Sequence, residues 1–346
     1  MKVAILGATG MAGVEYVKLL ENHPWFKISA VTGKRTVGLI YSDAVKSLIN
    51  APKSVADLEV IEPDPRKIDA DLVFSALPSS AAKEIEQEFL KAGFPVISEA
   101  SAHRMLEDVP LIIPEVNPDH LSLIEKQKYG DGFIVTTPNC TTVGLVLALK
   151  PLMDEFGLRK IIVSTYQAVS GAGFPGVPSF LILGNVIPYI EREEEKVEAE
   201  AKKILGRLLD GRVIPADLIF EASCVRVPVI DGHLESVYVE TEEPIDSEKA
   251  IEVLERFSGE PQRLRLPTAP EKPLIVSKAF DRPQPRFDLM AGSIPGMSVV
   301  VGRIRSGKLE NSLKFFVLSH NRIRGAAGGA ILTAELLYSM GYLRGR

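Results

Sequence analysis

The chain is predicted to be an α/β protein, with a Rossmann-like parallel sheet followed by an α+β domain that holds a mixed or antiparallel sheet. Three observations predict this. Short apolar runs alternate with helical stretches through residues 1–148, which is the pattern of a doubly wound parallel sheet. A glycine-rich turn joins the first run to the first helical stretch. Beyond residue 155 the strand-like runs lengthen and alternate apolar with polar residues, as expected of sheets with one covered face.

The first run spans residues 2–6 and leads through Gly7-Ala8-Thr9-Gly10-Met11-Ala12-Gly13 into a helical stretch over 11–22. The first glycine permits the tight turn, the second lets backbone N–H groups approach a pyrophosphate, and the third lets the helix pack closely on the sheet. Glycine triplets are common in purely structural turns. This one follows a strand and opens a helix, the context that dinucleotide binding requires. Runs at 27–31, 71–77, 94–98 and 133–137 continue the sheet, with a helical stretch at 81–92 and an amphipathic helix over 142–156.

In the second half, runs at 160–169, 218–229, 234–241, 297–305 and 313–319 are joined by hairpin-like turns at Asp231-Gly232 and Ser306-Gly307. Helices over 190–209 and 247–257 interrupt them, the first so rich in Glu and Lys that one face must be wet. The Pro-rich stretch 261–285 reads as a long surface excursion or an interface arm. An Ala- and Leu-rich helix over 325–340 should return to the first domain. The expected division is therefore 1–148 completed by 321–346, and 149–320.

Composition excludes several classes. With 346 residues, 46% of them apolar and 25% charged, the chain is an ordinary globular protein of about two domains. No apolar run reaches the roughly 18 residues of a membrane span, and Met1-Lys2 leads straight into a strand rather than a signal peptide, so a cytoplasmic protein is expected. A net charge of −5 offers no basic footprint for nucleic acid or anionic lipid. Cys140 and Cys224 alone make neither a disulfide framework nor a zinc set, so a reducing setting and no metal are expected.

The chemistry centres on Pro138-Asn139-Cys140-Thr141-Thr142, which places a cysteine on a strand-to-helix turn. Unpaired N–H groups at a helix start favour an anion, and a thiol there is expected to have its pKa drawn from about 8.5 toward neutrality, as a nucleophile needs. The alternative is a small buried hydrophobe. After the second run the chain reads Val31-Thr32-Gly33-Lys34-Arg35-Thr36. The acid that usually takes the ribose 2′-OH of NAD is missing and two cations stand in its place, which favours NADP, unless Lys34 and Arg35 are only solvated surface charges.

Four segments in order carry a family resemblance: Gly7 to Gly13; Pro138 to Thr142; Gln167-Ala168-Val169-Ser170-Gly171-Ala172-Gly173; and Cys224-Val225-Arg226-Val227-Pro228-Val229-Ile230-Asp231-Gly232-His233. Together they resemble the aspartate-β-semialdehyde dehydrogenase family, in the branch found in archaea and fungi, over nearly the whole chain. That branch includes malonyl-CoA reductases on the same scaffold. The resemblance implies NADP-dependent reduction of L-aspartyl 4-phosphate to L-aspartate 4-semialdehyde, and the reverse, through a cysteine thioester, in lysine, threonine and methionine biosynthesis. It also implies a catalytic and dimerisation function for the second domain and a homodimer or homotetramer. A malonyl-CoA reductase is one alternative, and a nucleotide-binding regulatory protein without turnover is another.

The resemblance assigns residues as well. Cys140 is the nucleophile, His233 the acid/base and Gln167 the group orienting substrate beside the thiol. Without the family, Gln167 is only an amide closing a strand end. His233 is favoured independently because a tight Asp231-Gly232 turn can aim it rigidly, whereas His23, His120 and His320 sit at capping turns or helix starts. Arg226 should hold the substrate carboxylate as a bidentate fork, although a seven-residue spacing from His233 puts it on the opposite face of an unbroken strand. Arg104, in Ser101-Ala102-His103-Arg104, matches the phosphate-binding stretch, with Asn139 beside the nucleophile. Glu193 and Lys196 match a pair that holds the substrate's amino group and phosphate, or else form an exposed ion pair. Cofactor contacts fall on Gly7, Thr9, Gly10, Met11, Gly13, Lys34, Arg35, Ser79, Ser170, Gly171, Gly173 and Asn321. The family more often carries Asn or Asp and a second Ser where this chain has Glu99 and Ala100, a departure that bears on the hydrogen bonds around the nicotinamide.

Overall fold

A computed structural model describes residues 1–345; Arg346, the end of the segment expected to complete the first domain, lies outside the described residues. Six strands, β1 (Lys2–Leu6), β2 (Lys27–Thr32), β3 (Val60–Ile61), β4 (Leu72–Ser75), β5 (Pro95–Ser98) and β6 (Phe133–Thr136), form a parallel sheet in the order β3-β2-β1-β4-β5-β6. The order reverses beside β1, and there the glycine turn meets the start of α1 (Met11–Leu19). A side chain at Gly13 would put its Cβ 2.2 Å from the Gly7 carbonyl oxygen, so helix and turn touch as the motif requires. β3 is two residues long and gives no periodicity to read. α1 stops short of residue 22, where Asn22 adopts a left-handed conformation.

α2 (Ser79–Lys91) covers β5, and α3 (Cys140–Phe156) follows β6. α3 begins two residues earlier than its apolar pattern suggests. Asn139 caps it, its side-chain oxygen accepting the Thr141 N–H at 2.8 Å, and so Cys140 becomes the first residue of the helix.

In the second half, β7 (Lys160–Gln167), β10 (Ile219–Arg226), β11 (His233–Glu240), β12 (Leu274–Ser277), β13 (Val299–Ser306) and β14 (Ser312–Ser319) form a mixed sheet in the order β10-β7-β11-β14-β13-β12. β8 (Arg207–Leu209) and β9 (Arg212–Ile214) pair separately. Two sequence expectations are corrected here. Ser306-Gly307 does join an antiparallel pair, but Asp231-Gly232 does not, because β10 and β11 lie on either side of β7, parallel and antiparallel to it. The Pro-rich stretch is not wholly a surface excursion either, since it contains β12, which pairs parallel to β13 at the sheet edge.

α4 (Glu193–Ile204) packs on β10, and α5 (Ser247–Arg256), capped by Asp246, packs on α3. The C-terminal helix is not continuous. A wider turn over Ile323–Ala327, with Ala326 outside helical geometry, precedes α6 (Gly328–Ser339), and this break brings Gly325 and Ala326 to the cleft beside Cys140. α6 does return to the first sheet, where Ile331, Leu336 and Leu337 share a core with Tyr16, Phe26 and Phe74. A second core joins α3 to the mixed sheet through Leu145, Leu149, Val163, Val237 and Phe315. Each such buried side chain contributes about 1.5–3 kcal/mol, so the second core anchors α3 on the mixed sheet.

Candidate active site

β7 and β10 end at the same level, where Gln167 pairs with Arg226, and antiparallel β11 begins there with His233, next to Leu234 opposite Tyr166. Three strand ends therefore meet under the first turn of α3. This topology brings Arg226 and His233 together. They belong to different strands, so the parity expected of one strand does not apply, and both are buried on the inner face. A Cβ at Gly171 would lie 2.8 Å from Arg226 Nη1 and 3.2 Å from His233 Cε1, so the loop after β7 lies directly over both groups.

His233 Nε2 lies 3.3 Å from Cys140 Sγ. The Ala168 N–H donates to His233 Nδ1 at 3.1 Å, and Arg226 Nη1 donates to the Ala168 carbonyl at 2.7 Å. With Nδ1 accepting, a neutral imidazole carries its proton on Nε2, and the bond to Cys140 runs from N–H to sulfur. Burial, followed by the Arg226 charge, lowers the His233 pKa to about 3. The other candidate histidines serve structure: His23 and His320 each accept backbone N–H groups through Nδ1, and His120 bonds to Asn117.

The Cys140 thiol differs from expectation. Burial and then Glu193 push it up to about 12, against the opposing pull of Arg104, Arg226 and its own backbone N–H. The helix start therefore acts as foreseen but does not prevail against burial and Glu193. Cys140 retains partial solvent access, whereas Cys224 is buried, its thiol also raised to about 12 by burial.

Asn139 Nδ2 donates to Glu193 Oε1 at 3.0 Å, and Lys196 lies 3.8 Å from Glu193, which makes the predicted pair an ion pair with its acid buried. Glu200 was not foreseen. One of its oxygens accepts the Asn139 N–H at 2.6 Å and the other takes Arg104 Nη1 at 2.8 Å, while Arg104 Nη2 donates to the Glu99 carbonyl. Lys203 donates to the carbonyls of Arg104, Leu106 and Val109 and fixes the same loop. Glu193, Lys196, Glu200 and Lys203 recur at helical spacing, a signal that was readable. The charge of this helix lies on its covered face as well as on the wet one. Gln167 is buried, its amide held by Thr165 Oγ1 at 3.2 Å.

A cleft of about 220 Å³ runs from Met11 and Ala12 past Glu99 and Arg104 to Cys140, Gly171 and Asn321. Among the remaining cofactor candidates, Thr9 and Thr36 share a hydroxyl contact at 3.3 Å, and Ser79 meets Ser101 at 2.9 Å. Asn321 donates to Ser170 and accepts the Gly232 N–H. Gly173 closes the turn after Gly171 by donating to the Ser170 carbonyl. Lys34 and Arg35 are exposed beyond β2, without an ion-pair partner among the described residues. The glycine cradle and these free cations fit a dinucleotide with a 2′-phosphate.

Comparisons with known proteins agree. The family profile of the semialdehyde dehydrogenase NAD binding domain matches residues 2–124, and that of the semialdehyde dehydrogenase dimerisation domain matches residues 149–324. The chain is 52% identical over 341 residues to an aspartate-semialdehyde dehydrogenase of Archaeoglobus fulgidus, covering 97% of each chain. It is 44% identical to a malonyl CoA reductase (NADP) of Metallosphaera sedula, covering 99% of this chain and 98% of that one. A crystal structure of aspartate semialdehyde dehydrogenase with NADP from Candida albicans superposes with a TM-score of 0.90 at 39% identity, covering 98% of both chains.

Proposed function

Because the chain belongs to the aspartate-semialdehyde dehydrogenase family, we propose that Cys140 carries the acyl group as a thioester while L-aspartyl 4-phosphate is reduced to L-aspartate 4-semialdehyde. The observation that carries this assignment is the 3.3 Å approach of His233 Nε2 to Cys140 Sγ at the start of α3. The enzyme is an NADP-dependent oxidoreductase that also runs in reverse.

Arg226 takes the substrate carboxylate, Glu193 its amino group, and Arg104 with Lys196 the phosphate. The Cys140 sulfur, its developing charge held by the His233 Nε2–H and the helix-start N–H groups, attacks the acyl carbon. The carbon–oxygen bond to phosphate breaks, and phosphate leaves beside Arg104 carrying the proton given up by the thiol. NADPH, when bound, supplies hydride to the thioester carbon. His233 Nε2–H then holds the oxyanion until the carbon–sulfur bond breaks, releasing aldehyde and a thiolate that takes a proton from solvent to restore the thiol. In this sequence the imidazole donates a hydrogen bond instead of acting as the acid/base expected from the sequence, because the Ala168 N–H on Nδ1 and burial disfavour a second proton. Gln167 orients the substrate from the end of β7. Lys34 and Arg35 meet the 2′-phosphate, and Ser79, Ser170, Gly171 and Asn321 border the cofactor.

In this reading, residues 1–148 with 321–346 bind cofactor and 149–320 catalyse and assemble. The open face of the mixed sheet exposes Ile162, Tyr166 and Ile219, which suits a homodimer or homotetramer. Among the described residues no helix is long and apolar enough to cross a membrane, and we place the enzyme in the cytoplasm, acting in lysine, threonine and methionine biosynthesis. The relative named malonyl CoA reductase keeps a second reading open. A thioester of CoA gains nothing from an amino-group contact at Glu193 or from a compact phosphate site at Arg104. NADPH oxidation compared across aspartyl phosphate, malonyl-CoA and N-acetylglutamyl phosphate tests the assignment. Faster oxidation with malonyl-CoA reverses it, and no turnover with any of them leaves a nucleotide-binding regulator.

A further inference from the structure

We infer that the Glu99 carboxyl stands against the nicotinamide and biases the site between the oxidised and the reduced dinucleotide. The inference rests on the NADP reading above. Glu99 directly follows β5, and its N–H donates to the Ser75 carbonyl at the end of β4. In a doubly wound sheet the dinucleotide lies across the carboxyl ends of the strands, with its pyrophosphate at the glycine turn. Hydride must reach a carbon held by Cys140, so the ring lies between Met11 and Cys140. Glu99 lines the cleft in that interval.

The polar atoms there face one another. Glu99 Oε1, the Tyr16 hydroxyl and Arg104 Nε are all inaccessible, and the Tyr16 hydroxyl acts on the Glu99 carboxyl as a hydrogen-bond donor. Both terminal nitrogens of Arg104 are already engaged, by Glu200 and by the Glu99 carbonyl. Tyr16 from α1 and Arg104 from the segment after β5 are the groups that act on the Glu99 carboxyl. Across the cleft stand the neutral Cys140 and His233, and Arg322, which is bound to Asp231 and Glu15.

Burial raises the Glu99 pKa to about 7, outweighing Tyr16 and Arg104, which lower it. The group is thus protonated in mild acid and anionic in mild base. An anion beside the ring attracts the pyridinium of NADP⁺ and has no such hold on the uncharged dihydropyridine of NADPH. By linkage, NADP⁺ binding then releases a proton that NADPH binding does not.

The test is the ratio of dissociation constants for NADP⁺ and NADPH, read by fluorescence titration of the full chain. In wild type the ratio should fall by about fivefold or more between about pH 6 and about pH 8.5. In Glu99→Gln it should stay flat at the low-pH value. Tyr16→Phe removes a group that favours the anion, so the midpoint of the wild-type curve should move to higher pH. A flat wild-type ratio, an equal fall in Glu99→Gln or an unmoved midpoint in Tyr16→Phe overturns the inference while leaving the cofactor reading intact. If neither nucleotide binds saturably, both fail.

Discussion

His233 Nε2 sits 3.3 Å from Cys140 Sγ, yet the Ala168 N–H on His233 Nδ1 keeps the imidazole from taking a second proton. An imidazolium would face that donor with another N–H, beside the Arg226 charge. With the imidazole pKa at about 3 and the thiol at about 12, the pair is neutral rather than an ion pair. Iodoacetamide alkylation of Cys140 should therefore rise about tenfold per pH unit between about pH 6 and 9, because only the thiolate reacts. An imidazolium–thiolate pair would instead give a plateau with an inflection near the ordinary imidazole value. Cys140→Ser should abolish turnover while NADPH still binds.

The exposed cations beyond β2 give a separate prediction about the cofactor. Replacing Lys34 and Arg35 together by Ala should raise KM for NADPH about tenfold or more, with little change for NADH, since only NADPH carries a 2′-phosphate. Equal weakening of the two would place the phosphate contact elsewhere.

The first half of the fold was legible because parallel strands buried on both faces read as plain apolar runs, and because Gly7 to Gly13 sits between strand and helix. The second half was legible in content but not in connection. Nothing local to Asp231-Gly232 says that the chain steps across β7 rather than turning back on itself, so Arg226 and His233 looked misaligned. Glu200 and Lys203 share the readable helical spacing of Glu193 and Lys196, but their charge points to a solvated face rather than a buried one. Residues that usually mark a solvated face are here buried, because Arg104, the Asn139 N–H and three carbonyls satisfy them. The thiol's acidity was misjudged for a related reason. A helix start draws it down, but burial and Glu193 depend on tertiary packing that the local motif does not record.

Arg104 and Glu200 are both buried, and this gives Arg104 a structural role beside the phosphate contact proposed for it. Arg104→Ala should cost about 3–5 kcal/mol of stability, because it strands a buried carboxylate, and should also raise KM for phosphate. Paired Arg104→Met and Glu200→Met should recover much of the urea midpoint, yet leave phosphate binding weak. Recovery of phosphate KM in the double variant would remove Arg104 from the phosphate site.

Arg226→Lys keeps the charge but loses the planar fork and its bond to Ala168. KM for aspartate semialdehyde should rise by a loss of about 2 kcal/mol, roughly thirtyfold. Phosphate KM should change much less. A semialdehyde KM within error of wild type would show that the carboxylate sits elsewhere.

Glu193 offers the sharpest separation, since two roles pull in opposite directions. Its carboxylate holds Asn139 Nδ2 at 3.0 Å and is the charge that raises the Cys140 thiol after burial itself. Glu193→Gln keeps the size and a polar partner for Asn139 but removes the charge. Alkylation of Cys140 at fixed pH should accelerate, because the thiolate loses a repelling neighbour. Affinity for aspartate semialdehyde should nevertheless fall about tenfold, as the ammonium group loses its counter-ion, while an analogue without the amino group binds as before. A packing defect alone would slow both substrates alike. Faster alkylation with no preference between the two substrates would leave Glu193 tuning the thiol only, and would move the amino-group contact to another residue.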